Sequence, residues 1–141
     1  MTITQEEARA LVVPFYTQAL TVNPESSSTA VLERILAPGF QSINSQQVKT
    51  RAELIKQVEV FWKLIPDLKW EPQDLVLGGN KVVVRSLASG SPSGSFMGLS
   101  LDGSRGFRID TIDIHEIEGG QILRVHHLED WATALKQLSA R

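Results

Sequence analysis

The apolar positions of the chain change period partway along it. Ala8, Leu11, Val12, Phe15 and Ala19 recur at the spacing of one helix face, and Thr4 with Glu7 supplies a capping box ahead of them. This predicts a first helix over about residues 5 to 21, with Pro14 placed to kink it by removing one backbone donor. Val31, Leu32, Ile35 and Leu36 predict a short second helix stopped by Pro38-Gly39, followed by a short strand from Phe40 to Asn44. A second capping box, Thr50 with Glu53, opens a third helix whose Leu54, Ile55, Val58, Phe61, Trp62 and Ile65 keep helical spacing as far as Pro66. Its wide apolar stripe needs a sheet to lie against.

Beyond Leu68 the period falls to two. Leu68 to Leu77 and Lys81 to Ser89 predict two strands joined by Gly78-Gly79-Asn80. Gly90 to Gly106, dense in Gly and Ser around Phe96, Met97 and Leu99, fits either an irregular strand pair or a mobile flap. Phe107 to Ile117 alternates again, Gly119-Gly120 suits a primed turn, Ile122 to Leu128 resumes the strand pattern, and a terminal helix follows Asp130. Helices first and hairpin-linked strands after predict an α+β fold in which the helices cover one face of a curved, mostly antiparallel sheet, enclosing a largely apolar pocket.

The last hairpin carries the chemistry. If Glu118 opposes Gln121, an unbroken ladder puts His115 against Arg124, Asp113 against His126 and Thr111 against Leu128. One face then holds Asp113, His115, Arg124 and His126, with Asp130 one period beyond. The other holds Ile112, Ile114, Leu123 and Val125, together with Glu116 and His127. Two acids, two histidines and an arginine on one face suit acid/base chemistry or polar ligand binding, although half-exposed sheets also carry such ladders on their solvent side. His126 and His127 are adjacent and point to opposite faces, so a regular strand cannot bring both to one metal ion.

Composition narrows the function classes. At 141 residues and 42% apolar content, the chain suits one domain over residues 1–141. A net charge of −2 with dispersed Lys and Arg argues against nucleic acid and anionic membranes. The absence of cysteine removes disulfide and thiolate chemistry. The opening Met-Thr-Ile-Thr-Gln-Glu-Glu lacks the pattern of a signal peptide, and a cytoplasmic location is expected.

Four stretches, taken in order, resemble the SnoaL-like polyketide cyclase family. They are Ile65-Pro66-Asp67-Leu68-Lys69-Trp70; Val82-Val83-Val84-Arg85; Gly90-Ser91-Pro92-Ser93-Gly94-Ser95-Phe96-Met97-Gly98; and Ile112-Asp113-Ile114-His115 through Gly120-Gln121-Ile122 to Glu129-Asp130-Trp131 and Gln137-Leu138. The resemblance covers roughly residues 30 to 138. The family belongs to the nuclear transport factor 2-like superfamily, and the resemblance implies a cone of three N-terminal helices inside a bent antiparallel sheet, with a short C-terminal helix. It further implies an aldol ring closure of a polyketide ester with no metal and no cofactor. The family's general acid/base aspartate corresponds to Asp130, and the strand histidine and the polar residue two before it to His115 and Asp113.

The candidate catalytic set is therefore Asp130, His115 and Asp113, with His126, Arg124, Trp62, Phe96 and Met97 as candidate substrate-binding residues. Each has a structural reading beside the functional one. Asp130 precedes a helix and has the place of an N-cap, Trp62 suits a core, and Phe96 with Met97 suits either a gate or a sheet cover. Two further function classes stay open. One is a limonene-type epoxide hydrolase, using Asp113, Arg124 and Asp130 on one face. The other is a non-catalytic ligand-binding or dimerisation module, with the apolar hairpin face buried in a homodimer. The expected partners are a hydrophobic small molecule and a second copy of the chain, with neither nucleic acid nor membrane.

Overall fold

The computed structural model describes residues 2–139. Helix α1 (Gln5–Pro14) starts at the predicted capping box: Glu7 N–H donates to Thr4 Oγ1 and Thr4 N–H to Glu7 Oε1, both at 3.0 Å. Pro14 is the last residue of the α-helical part. The helix then widens into a π-helical turn over Phe15–Ala19, closed by Leu20 N–H donating to Phe15 O at 3.0 Å. Turns of this kind often mark functional positions, and this one points Phe15 and Tyr16 into the interior.

Helix α2 (Ser28–Ile35) is capped by Ser27, and strand β1 (Leu36–Ile43) follows it directly. Pro38-Gly39 thus lies inside β1 and not at a helix end. Pairing with the last strand slips between Leu36 and Gln41, a break at which a residue without an N–H and one without a side chain are tolerated. A short β2 (Val48–Thr50) leads into α3 (Arg51–Leu64), which has the second predicted capping box. Strands β3 (Lys69–Gly78) and β4 (Lys81–Gly90) form the expected hairpin.

The segment between Gly90 and Gly106 forms a separate small hairpin, β5 (Ser93–Phe96) with β6 (Leu99–Asp102). Its two-residue turn places Met97 at φ 53° and Gly98 at φ 78°, the positive values that a primed turn requires. Strands β7 (Phe107–Glu118) and β8 (Gln121–Glu129) precede helix α4 (Trp131–Ser139). The six main strands lie in the order β2-β1-β8-β7-β4-β3, antiparallel except where β1 runs parallel to β8. The sheet curves around α1, α2 and α3, and Ala8, Val12, Tyr16, Leu32, Ile35, Val82, Val84 and Ile122 fill the space between them. Gln137 pins α4 to β7: its Oε1 accepts from Arg108 N–H at 2.7 Å and its Nε2 donates to Arg108 O at 3.1 Å.

The register of β7 against β8 departs from an unbroken ladder. Glu118 opposes Gln121 and Ile117 opposes Ile122 as expected, but Glu116 then opposes Arg124, leaving Leu123 as an extra residue. This β-bulge moves every later β8 residue to the opposite face. Beyond it His115 faces Val125, Ile114 faces His126, Asp113 faces His127 and Thr111 faces Glu129. The helix-covered face therefore holds Asp113, His115, Val125, His127 and Glu129. The outer face holds Ile112, Ile114, Glu116, Arg124, His126 and Leu128, with Ile112, Ile114 and Leu128 exposed.

Candidate active site

Every second residue of β7 from Phe107 to Ile117 is buried against the helices. Two of these, Asp113 and His115, are ionisable, and groups so buried need hydrogen-bond partners. Tyr16, fully buried on the π-helical turn, supplies the link. Its hydroxyl donates to Asp113 Oδ2 at 2.6 Å and lies 2.7 Å from His115 Nε2. With the phenol proton committed to Asp113, the second bond requires His115 Nε2–H to donate to the phenol oxygen. His115 Nδ1 is then the bare lone pair of the ring, and it is the buried nitrogen that has no partner. Phe15 packs edge-on against the imidazole with a 5.2 Å centroid separation.

Burial sets the proton affinities of all three groups. It pushes the Asp113 carboxyl up to about 7, opposed by the Tyr16 hydrogen bond, raised further by the Glu129 charge and lowered by His127 and the Leu128 amide. Burial alone pulls His115 down to about 3, so the ring is neutral around pH 7. The Tyr16 phenol is held well above its ordinary value, first by burial and then by the Asp113 charge. The result is an acid that exchanges its proton near neutrality, backed by two groups that do not titrate there.

Asp113 opens onto a cavity of about 620 Å³ whose apolar wall includes Phe15, Leu20, Val58, Phe61 and Val125. Beside Asp113 on the neighbouring strand, His127 Nδ1 pairs with Glu129 Oε2 at 2.7 Å, and Trp131 Nε1 donates to Glu129 Oε1 at 3.2 Å. All three residues line the cavity. Below them, Trp70 Nε1 donates to the buried Thr111 Oγ1 at 3.2 Å. Phe96 from the β5–β6 hairpin stacks on Phe107 and meets Trp131 and Phe61 edge-on, which fastens that hairpin beside the cavity.

The structure brings together part of the set expected from sequence. Asp113 and His115 converge, and Phe96 and Met97 line the cavity. Asp130 does not face it. Its exposed carboxylate caps α4, accepting from Thr133 N–H at 3.2 Å and Thr133 Oγ1 at 2.6 Å, and these bonds lower its proton affinity. The bulge at Leu123 carries His126 and Arg124 to the outer face, where Arg124 pairs with Glu116. Trp62 lies outside the cavity lining and donates its indole N–H to Ala19 O at 2.8 Å. Asp113, Arg124 and Asp130 consequently do not meet as an epoxide hydrolase would need.

Sequence reasoning missed Tyr16, His127 and Glu129. Tyr16 carried a usable signal: it is the single tyrosine of the chain and falls one turn after Val12 on the apolar face of the first helix, where a phenol needs a buried partner. His127 and Glu129 were hidden by the bulge, which has no glycine to announce it.

Fold and site together define a cone-shaped α+β pocket protein with its ionisable groups on the inner face of the sheet. The SnoaL-like polyketide cyclase model matches residues 10–138, and the chain belongs to that family. TsrD from Streptomyces laurentii superimposes with a TM-score of 0.84 at 24% identity, covering 99% of each chain. A candidate SnoaL-like polyketide cyclase from Jannaschia sp. CCS1 gives 0.85 at 19% identity over 100% of this chain and 99% of its own. IdmH from Streptomyces antibioticus, a candidate polyketide cyclase, gives 0.74 at 21% identity over 96% of this chain and 97% of its own. No curated protein sequence matches the chain.

Proposed function

We propose that the protein is a cofactor-independent lyase or isomerase of the cyclase type, which moves a proton between the α-carbon and the oxygen of a carbonyl compound held in the cavity. The observation that carries this reading is the Asp113 carboxyl: it borders the cavity, is hydrogen-bonded by Tyr16, and exchanges its proton near pH 7. A general acid/base works best when its proton affinity matches the working pH. Asp113 takes the role that the family resemblance gives to Asp130, and His115, acting through Tyr16, is a positioning residue. The apolar part of the wall, with Phe15, Leu20, Val58, Phe61 and Val125, suits a hydrophobic or aromatic substrate. A homodimer through the outer face is part of the same proposal, supported by the exposed Ile112, Ile114 and Leu128 there.

Deuterium uptake tests the reading. Incubated in D₂O with α-tetralone, an aromatic ketone with a slowly exchanging α-position, the protein is expected to speed exchange at that carbon above buffer. Asp113→Asn is expected to lower the rate by about 10²-fold or more. Exchange no faster than buffer, or an unchanged rate in the variant, overturns the proposal.

A further inference from the structure

Asp113 has a second ionisable neighbour in the cavity that the reading above does not use. His127 lies directly across the β7–β8 ladder from it, and opposed residues hold their Cβ atoms about 5 Å apart on one side of a sheet. Glu129 fixes the His127 ring through the 2.7 Å bond at Nδ1 and is itself held by the Trp131 indole. The other ring nitrogen, Nε2, has no hydrogen-bond partner among the described residues, and His127 lines the cavity. An imidazole with one nitrogen tied to a carboxylate and the other free is the arrangement of an oriented general base.

We infer that His127, oriented by Glu129, is a second catalytic residue that works against Asp113 as a base–acid pair. This rests on the enolisation reading. Neutral His127 takes the α-proton at Nε2, and the electron pair of that C–H bond forms the new bond to a carbonyl carbon of the same substrate. The π pair of that carbonyl moves to its oxygen, which takes the proton of the Asp113 carboxyl. The step leaves an imidazolium and a carboxylate, and passage of one proton from His127 to Asp113 restores both. No oxidant, reductant or metal enters the balance. The substrate class that satisfies both groups is a compound with an acidic C–H and a second carbonyl within bonding reach, as in a poly-β-keto ester. In α-tetralone the same pair carries out enolisation alone: His127 takes the α-proton while Asp113 protonates the carbonyl oxygen.

The test uses the whole chain and α-tetralone in D₂O. His127→Gln is expected to lower the exchange rate by about 10²-fold or more, and His127→Ala to regain exchange when free imidazole is added. Glu129→Gln, a change at a positioning residue, is expected to lower the maximal rate by roughly tenfold with half-saturation by α-tetralone unchanged. His126→Gln, on the outer face, is expected to exchange like the wild type. Wild-type exchange that is lost in Asp113→Asn but kept in His127→Gln overturns the pair while leaving the role of Asp113 standing. Folded His127→Ala protein that imidazole does not restore also overturns it, because it assigns His127 a structural role. Absence of exchange in the wild type defeats the underlying reading instead.

Discussion

Asp113 and Asp130 carry the same carboxyl group into opposite environments, and the environment decides what each can do. Asp113 is enclosed by Tyr16, His127 and the Leu128 amide, and burial raises its proton affinity. Asp130 stands in solvent at the start of α4, and its bonds to Thr133 lower its affinity, so it stays ionised at any pH where carbonyl chemistry needs a base near neutrality. Asp130→Ala is therefore expected to lower the melting temperature by roughly a few degrees, the usual consequence of a lost N-cap, and to leave α-tetralone exchange intact. Thermal denaturation and the exchange assay together check this, and loss of exchange with an unchanged melting temperature contradicts it. The capping reading of Asp130 was legible in its place before Trp131. The Tyr16 link was not, because it joins residues that only the folded chain brings together.

At the scale of elements, helix starts were the most legible feature, because capping boxes are local. Thr4 with Glu7 and Thr50 with Glu53 form the predicted bonds. Alternation on β7 correctly paired Asp113 with His115 on one face. What failed was the transfer of that face onto β8, since a single inserted residue inverts a period-two pattern. Leu123 absorbs the insertion, and its removal leaves Ile122 against Ile117 and Arg124 against Glu116 in an unbroken ladder. Deletion of Leu123 is thus expected to keep His127 and Glu129 on the inner face and to preserve exchange, with a modest loss of stability. Deletion of Leu123 and Val125 together, which sets His127 against Ile114 and Glu129 against Ile112, is expected to abolish exchange by turning both residues outward. Equal loss of exchange in the two deletions contradicts this account of the register.

At the scale of the molecule, the fold divides into a covered inner face and an open outer one, and among the described residues no helix is long and apolar enough to cross a membrane. The α+β class followed from the order of helical and strand periods, and the cone from the family resemblance. Site chemistry was less legible because it depends on which groups the helices seal from water. That sealing has a thermodynamic signature of determinate sign. His115, pulled from 6.5 to about 3, contributes stability above pH 6.5 that is lost as pH falls toward 3. Asp113 acts in the opposite sense. Its affinity is raised from 3.8 to about 7, so the folded state holds an extra proton between those values and the contribution weakens as pH rises through them. Asp113→Asn removes only the second effect.

The most direct measurement is the unfolding free energy of the wild type and of Asp113→Asn across pH 4 to 8. The variant is expected to gain on the wild type by at most about 1.4 kcal/mol per pH unit from pH 4 to 7, levelling off above that. A difference that stays flat across this range means that Asp113 ionises like an ordinary surface carboxylate, and contradicts its role as a sheltered acid/base.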